Sequence, residues 1–208
     1  MKLKLILSLF AAASLGASAQ NFMDGVEYFK ADQRSNAKTL LERNLNNADT
    51  DKSLAYYYLG AIAVHDTTAT GGKNLAIAED YFKKGLAANP DNALNKVGLG
   101  ELALMSGNEA KAKQYFTEAV KLNKKDAVVL TAIGRSYFNT DPVKYANEIE
   151  KYDRDAFKAN PKCPDIFVLR GDREAAKKEW GAAAGNYENA ILYSAGLPEA
   201  YVKYANAY

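Results

Sequence analysis

A spacing of 34 residues recurs along this chain, and it constrains the fold more than any other feature because each repeat must bury its apolar face against its neighbours. The clearest unit spans 93–126. Leu99-Gly100 and Ala103 precede Gly107-Asn108, and Ala112, Phe116 and Ala119 follow. Apolar and small residues at helical spacing on both sides of a Gly-Asn turn predict two antiparallel helices. Gly100, Ala112 and Ala119 fall where those helices come closest, so small side chains are required there. Leu99 and Phe116 fill the space beside them.

The same grid fits Tyr56, Leu59-Gly60, Ala63, Ala78, Phe82 and Gly85 before that unit, and Leu130, Ile133-Gly134 and Tyr137 after it. Phe167, Gly171, Ala183, Tyr187 and Ala190 form a further unit; Gly25, Tyr28, Ala37 and Leu41 form the first. Pro90 and Pro161 end second helices, since proline cannot donate its backbone bond inside a helix. The predicted repeats are 21–51, 53–92, 93–126, 127–162 and 164–197, with a half repeat over 198–208 that suggests either a longer protein or an end packed against a partner.

In these residues the chain resembles the tetratricopeptide repeat over almost all of 21–208. The resemblance implies an all-α, right-handed superhelical solenoid of antiparallel helix pairs, the first helix of each pair lining a concave groove. It also implies a protein or peptide partner held in that groove. By register the groove residues are Tyr57, Ala61 and His65, then Val97, Glu101 and Leu104, then Thr131, Arg135, Phe138 and Asn139, then Val168 and Asp172. One subtype grips a chaperone's C-terminal carboxylate with Lys, Asn and Arg. The matching positions here include Tyr57, Ala61, Val128 and Ala132, so that clamp is missing.

Two units depart from the grid. His65 to Asn74 inserts a Gly- and Thr-rich loop that makes 53–92 six residues too long. In 127–162, an Asp141-Pro142 turn and the charged stretch Glu148 to Asp155 predict the least regular helix pair.

Ahead of the repeats, Lys2 and Lys4, the apolar run Leu5 to Ala13, and Ala17-Ser18-Ala19 before Gln20 have the order of a signal peptide over 1–19. An exported protein, periplasmic or secreted, is expected, with no membrane span once the leader is removed. The leader holds two lysines and no acid, which leaves 25 basic and 25 acidic side chains in 20–208. Such a balance lacks the basic excess that nucleic-acid binding requires. The single Cys163 rules out an internal disulfide; a passive corner residue is expected, with an intermolecular disulfide as the sharper alternative.

No catalytic constellation emerges. His65 is the only histidine and has neither a nucleophile elbow nor partners at metal-ligand spacing. Thr70-Gly71-Gly72-Lys73-Asn74 lacks the first Gly and the final Ser or Thr of a phosphate loop. No cofactor, metal or enzyme activity is expected. Tyr56, Tyr137, Tyr187 and Tyr204 read as core, and Trp180 as packed beside Gly181-Ala182-Ala183, with exposure at the rim as the alternative. The leading reading is an exported protein-binding scaffold in envelope assembly or secretion. A regulatory or substrate-presenting arm of a larger enzyme and a glycan-binding module are the alternatives. The sequence names no partner and no oligomeric state.

Overall fold

The computed structural model describes residues 21–65, 74–194, 196 and 198–207; the leader, the loop 66–73 and Tyr208 lie outside them. The described residues form eleven helices and no strand. In chain order these are α1 (Phe22–Lys30), α2 (Arg34–Asn44), α3 (Lys52–His65), α4 (Leu75–Ala88), α5 (Ala93–Met105) and α6 (Glu109–Leu122). They continue with α7 (Ala127–Thr140), α8 (Ala146–Ala159), α9 (Pro164–Ala176), α10 (Trp180–Tyr193) and α11 (Pro198–Asn206). Consecutive helices pair as antiparallel hairpins, and successive pairs stack into a superhelical solenoid.

One steric rule joins the two helices in four of the five pairs. Three glycines each face a large residue sixteen positions later: Gly25 faces Leu41, Gly100 faces Phe116 and Gly171 faces Tyr187. In the α3–α4 pair the offset is twenty-two, Gly60 facing Phe82, because six extra residues sit between the helices. A Cβ on Gly60, Gly100 or Gly171 would lie 2.3–2.4 Å from the opposing ring, so the ring occupies the space a side chain would need. Gly98 on α5 presses on Phe82 from the other side at a similar 2.4 Å, which carries the contact into the next repeat. Phe82 and Phe116 are fully buried; such burial contributes about 1.5–3 kcal/mol per side chain.

The turns without insertions share one closure. Asp32, Gly107 and Lys178 have positive φ (57°, 77° and 63°), each seven residues after its facing glycine. The following N–H reaches back five residues, Asn108 to Ala103 O at 2.8 Å and Glu179 to Glu174 O at 2.9 Å. This is a left-handed helix ending that satisfies the last carbonyls of the first helix. Second helices then start on polar caps where the sequence offers them: Lys111 N donates to Asn108 Oδ1 at 3.1 Å.

The 127–162 unit departs from the other pairs, since Gly134 makes no close approach, but the charged stretch does not disrupt its second helix: α8 is a regular helix of 14 residues. The charged stretch fits because Arg170 on α9 donates to both oxygens of the buried Asp153, each at 2.8 Å, and stacks over Phe157. A planar guanidinium meeting a carboxylate on two bonds allows burial that a lone Asp would resist. Trp180 takes the rim-exposed alternative: it begins α10 and is 50% exposed, its neighbours Gly181 and Ala182 are exposed too, and Ala183 and Ala184 are buried. Of the tyrosines read as core, Tyr137 and Tyr187 are buried, whereas Tyr56 and Tyr204 are half-buried.

Candidate functional site

The first helices α1, α3, α5, α7, α9 and α11 form the inner layer of the superhelix, and they enclose a cleft of about 620 Å³. The superhelix turns far enough for α11 to touch α1, so the cleft is walled on both ends. Its aromatic wall runs through Phe29, Tyr58 and Tyr57 and is backed by the buried Phe82, with successive ring centroids 5.1, 5.1 and 6.2 Å apart. Facing that wall are Glu101, Arg135, Asn139, Asp165, Asp172 and Lys203.

This inner layer of first helices backed by an outer layer of second helices has counterparts among solved structures. A thermophilic TPR protein of Thermus thermophilus superposes with a TM-score of 0.57 at 18% identity, over 89% of this chain and 96% of that one. A tetratricopeptide repeat protein from Parabacteroides merdae gives 0.57 at 16% identity, over 97% of this chain and 74% of that one. The chain has the tetratricopeptide-repeat fold. No protein-family model matches it, and no curated protein matches it in sequence.

Of the residues predicted for the tetratricopeptide groove, nine line the cleft: Tyr57, Ala61, His65, Glu101, Thr131, Arg135, Phe138, Asn139 and Asp172. Thr131 contributes little polarity, since its hydroxyl donates to Ala127 O at 2.7 Å. The other three do not reach the cleft. Val97 and Leu104 are 2% and 3% exposed in the cluster that holds Val129 and Ile133, and Val168 is fully buried beside Leu130 and Ile166. Adjacent first helices pack side by side in the tetratricopeptide stack. Positions flanking the inner stripe are therefore covered by the next repeat.

The most connected polar side chain in the cleft is Asp172 on α9, 12% exposed. It accepts from Arg135 Nη1 on α7 at 2.7 Å, Lys203 Nζ on α11 at 2.5 Å and the Tyr187 hydroxyl on α10 at 3.0 Å. Burial pushes its carboxyl toward the neutral form, but Arg135 and Lys203 outweigh burial and hold the pKa below the usual carboxylate range. Asn139 Nδ2 donates to Glu101 Oε1 at 3.3 Å, linking α7 to α5. The Tyr57 and Tyr58 hydroxyls titrate well above the ordinary value, chiefly through burial, with nearby carboxylates adding to it.

Sequence reasoning missed Tyr58, Asp165, Glu199 and Lys203. Tyr58 was findable as the neighbour of Tyr57 on a wide inner face. Glu199 and Lys203 carry no local signal, because only the closing of the superhelix brings α11 opposite α1 and α3.

Proposed function

We propose that this protein is a protein-binding scaffold that holds an extended peptide segment of its partner in the concave cleft. The observation that carries this reading is the cleft itself, about 620 Å³, walled by the first helix of every repeat and mixing aromatic rings with hydrogen-bonding side chains. That mixture suits peptide recognition, in which apolar contacts supply affinity and a few polar groups fix register. The leader-like order of residues 1–19 supports export, and on that ground the proposed setting is the cell envelope, in assembly or secretion. The proposal assigns no catalytic step.

The test is a photo-crosslinking residue at Asn139 in the 20–208 protein, exposed to native envelope extract. Ala61→Trp fills the cleft without touching the Asp172 network and serves as the blocked control. A protein captured by the open cleft and lost from the blocked one supports the reading. Capture that is indifferent to Ala61→Trp moves the binding surface elsewhere and overturns it.

A further inference from the structure

The charges around the cleft are unequally committed. Each of the Lys and Arg side chains lining it among the described residues already holds a carboxylate: Lys30 with Glu27 at 3.8 Å, Arg34 with Asp32 at 2.9 Å, Arg135 with Asp172 at 2.7 Å, and Lys203 with Asp172 and Glu199. The exposed pairs of Lys30 and Arg34 hold weakly, but an anionic ligand at Arg135 or Lys203 would have to break a part-buried pair and leave its carboxylate facing a like charge. Asp165 differs. It lines the cleft from the first turn of α9 and makes no ion pair among the described residues; its one side-chain contact is the weak one with Cys163 Sγ at 3.7 Å.

Tyr57 and Tyr58 line the same cleft as Asp165 and pack edge to face at 5.1 Å. Neither hydroxyl makes a hydrogen bond among the described residues, although both side chains are enclosed by the cleft and line it. The charged groups that act on the Tyr58 hydroxyl are the carboxylates Asp165, Glu27 and Glu199. On Tyr57, Glu101 and Asp165 act against the single cation Arg135, and Glu101 is the stronger influence. Carboxylates outnumber cations among these influences. Two tyrosines and an uncommitted carboxylate lining one cleft suit a cationic side chain, which gains from the rings as well as from the charge.

We infer that the cleft selects a peptide segment bearing a lysine or arginine, whose cationic head sits beside Asp165 against Tyr57 and Tyr58. This rests on the cleft being the peptide site, and it adds the chemistry of the occupant. The helix dipole at the start of α9 offsets part of the Asp165 charge, but its equivalent is only about half a charge, so a net negative site remains.

The probes are short fluorescein-labelled peptides, identical except at two central positions that hold Lys, Gln or Glu. Anisotropy with the 20–208 protein should show the Lys peptide binding about tenfold tighter than the Glu peptide at about 0.05 M salt, with the gap narrowing at about 0.3 M. In Asp165→Asn, which keeps the side-chain shape, that preference should shrink about fivefold. The salt response of the unsubstituted protein reads the same property if the variant folds poorly. Equal binding of all three peptides, an unchanged preference in folded Asp165→Asn, or no binding by any of them overturns the inference. If binding is charge-blind yet abolished by Ala61→Trp, only the selection fails. If Lys-peptide binding survives Ala61→Trp, the cleft reading fails with it.

Discussion

Arg135 on α7 and Asp172 on α9 meet at 2.7 Å across the floor of the cleft, so an ion pair joins the first helices of successive repeats. Lys203 on α11 shares the same carboxylate, which ties the last helix to the first helix of the preceding repeat. The residue best suited by charge to greet an acidic partner is thereby committed to holding the scaffold in shape.

Removing Arg135 should therefore cost stability before it costs recognition. Asp172 would keep Lys203 and Tyr187, and the Arg135 side chain is 30% exposed, so the loss falls below that of a fully buried pair. Arg135→Ala is expected to lower unfolding free energy by about 1–3 kcal/mol, read by urea denaturation. A loss within error of zero would show that Lys203 alone satisfies Asp172.

The same carboxylate predicts acid sensitivity. Its folded pKa is depressed, so the unfolded chain takes up the proton more readily. The stabilisation is fully present well above the unfolded value of about 3.9 and is lost as pH falls below it toward the lower folded value. Thermal melts from pH 7 down to about pH 3 should show a smaller drop for Asp172→Asn than for the unsubstituted protein, although the variant starts lower. Parallel curves would remove Asp172 from the explanation.

Two glycines of the same register should respond in opposite directions to alanine. At Gly100 the new methyl would sit 2.3 Å from Phe116 Cε1, against a ring with no exposed surface, and the expected loss is about 1–3 kcal/mol. At Gly134 the nearest atoms, on Leu169 and Tyr152, are 3.5 Å away. There the gain in helix propensity prevails, and Gly134→Ala should be more stable by about 0.4–1 kcal/mol. Chemical denaturation of both variants decides it; matching signs would mean the facing residue does not control the site.

A buried polar knot links three helices. Asn95 Nδ2 on α5 donates to Ser53 O at 3.0 Å and to Ser53 Oγ at 3.1 Å on α3, and Ser53 Oγ donates to Gly85 O on α4 at 2.7 Å. Ser53→Ala and Asn95→Ala should each destabilise by about 1–3 kcal/mol and couple by more than about 0.5 kcal/mol in a double-mutant cycle. Simple additivity would mean the two residues act separately.

Cys163 is 3% exposed, and burial pushes its thiol up to about 11. A thiol reagent at pH 8 should label it slowly in the folded protein and rapidly in denaturant, followed by absorbance. Fast labelling of the folded form would revive the intermolecular disulfide.

Much of this was legible in the residues. The inner face of α3 and α7 could be read because a helix repeats its direction every 3.6 residues and the register is anchored by glycine. Val97, Leu104 and Val168 were misplaced because a periodic pattern marks an apolar stripe without saying whether a ligand or the next repeat covers it. The α8 stretch was misread for a related reason. Asp153 looks unpackable alone, and its partner Arg170 is seventeen residues away on another helix.

By itself the sequence determined the alignment within four of the five helix pairs, since a glycine facing a bulky residue sixteen positions later, or twenty-two where six residues are inserted, lets the two helices touch in one alignment. That is local sterics, written within each repeat. The tertiary structure alone decided that α11 returns to α1. The physical reason is accumulation: the small rotation between neighbouring repeats adds up along the solenoid, and no single repeat encodes where the sum ends.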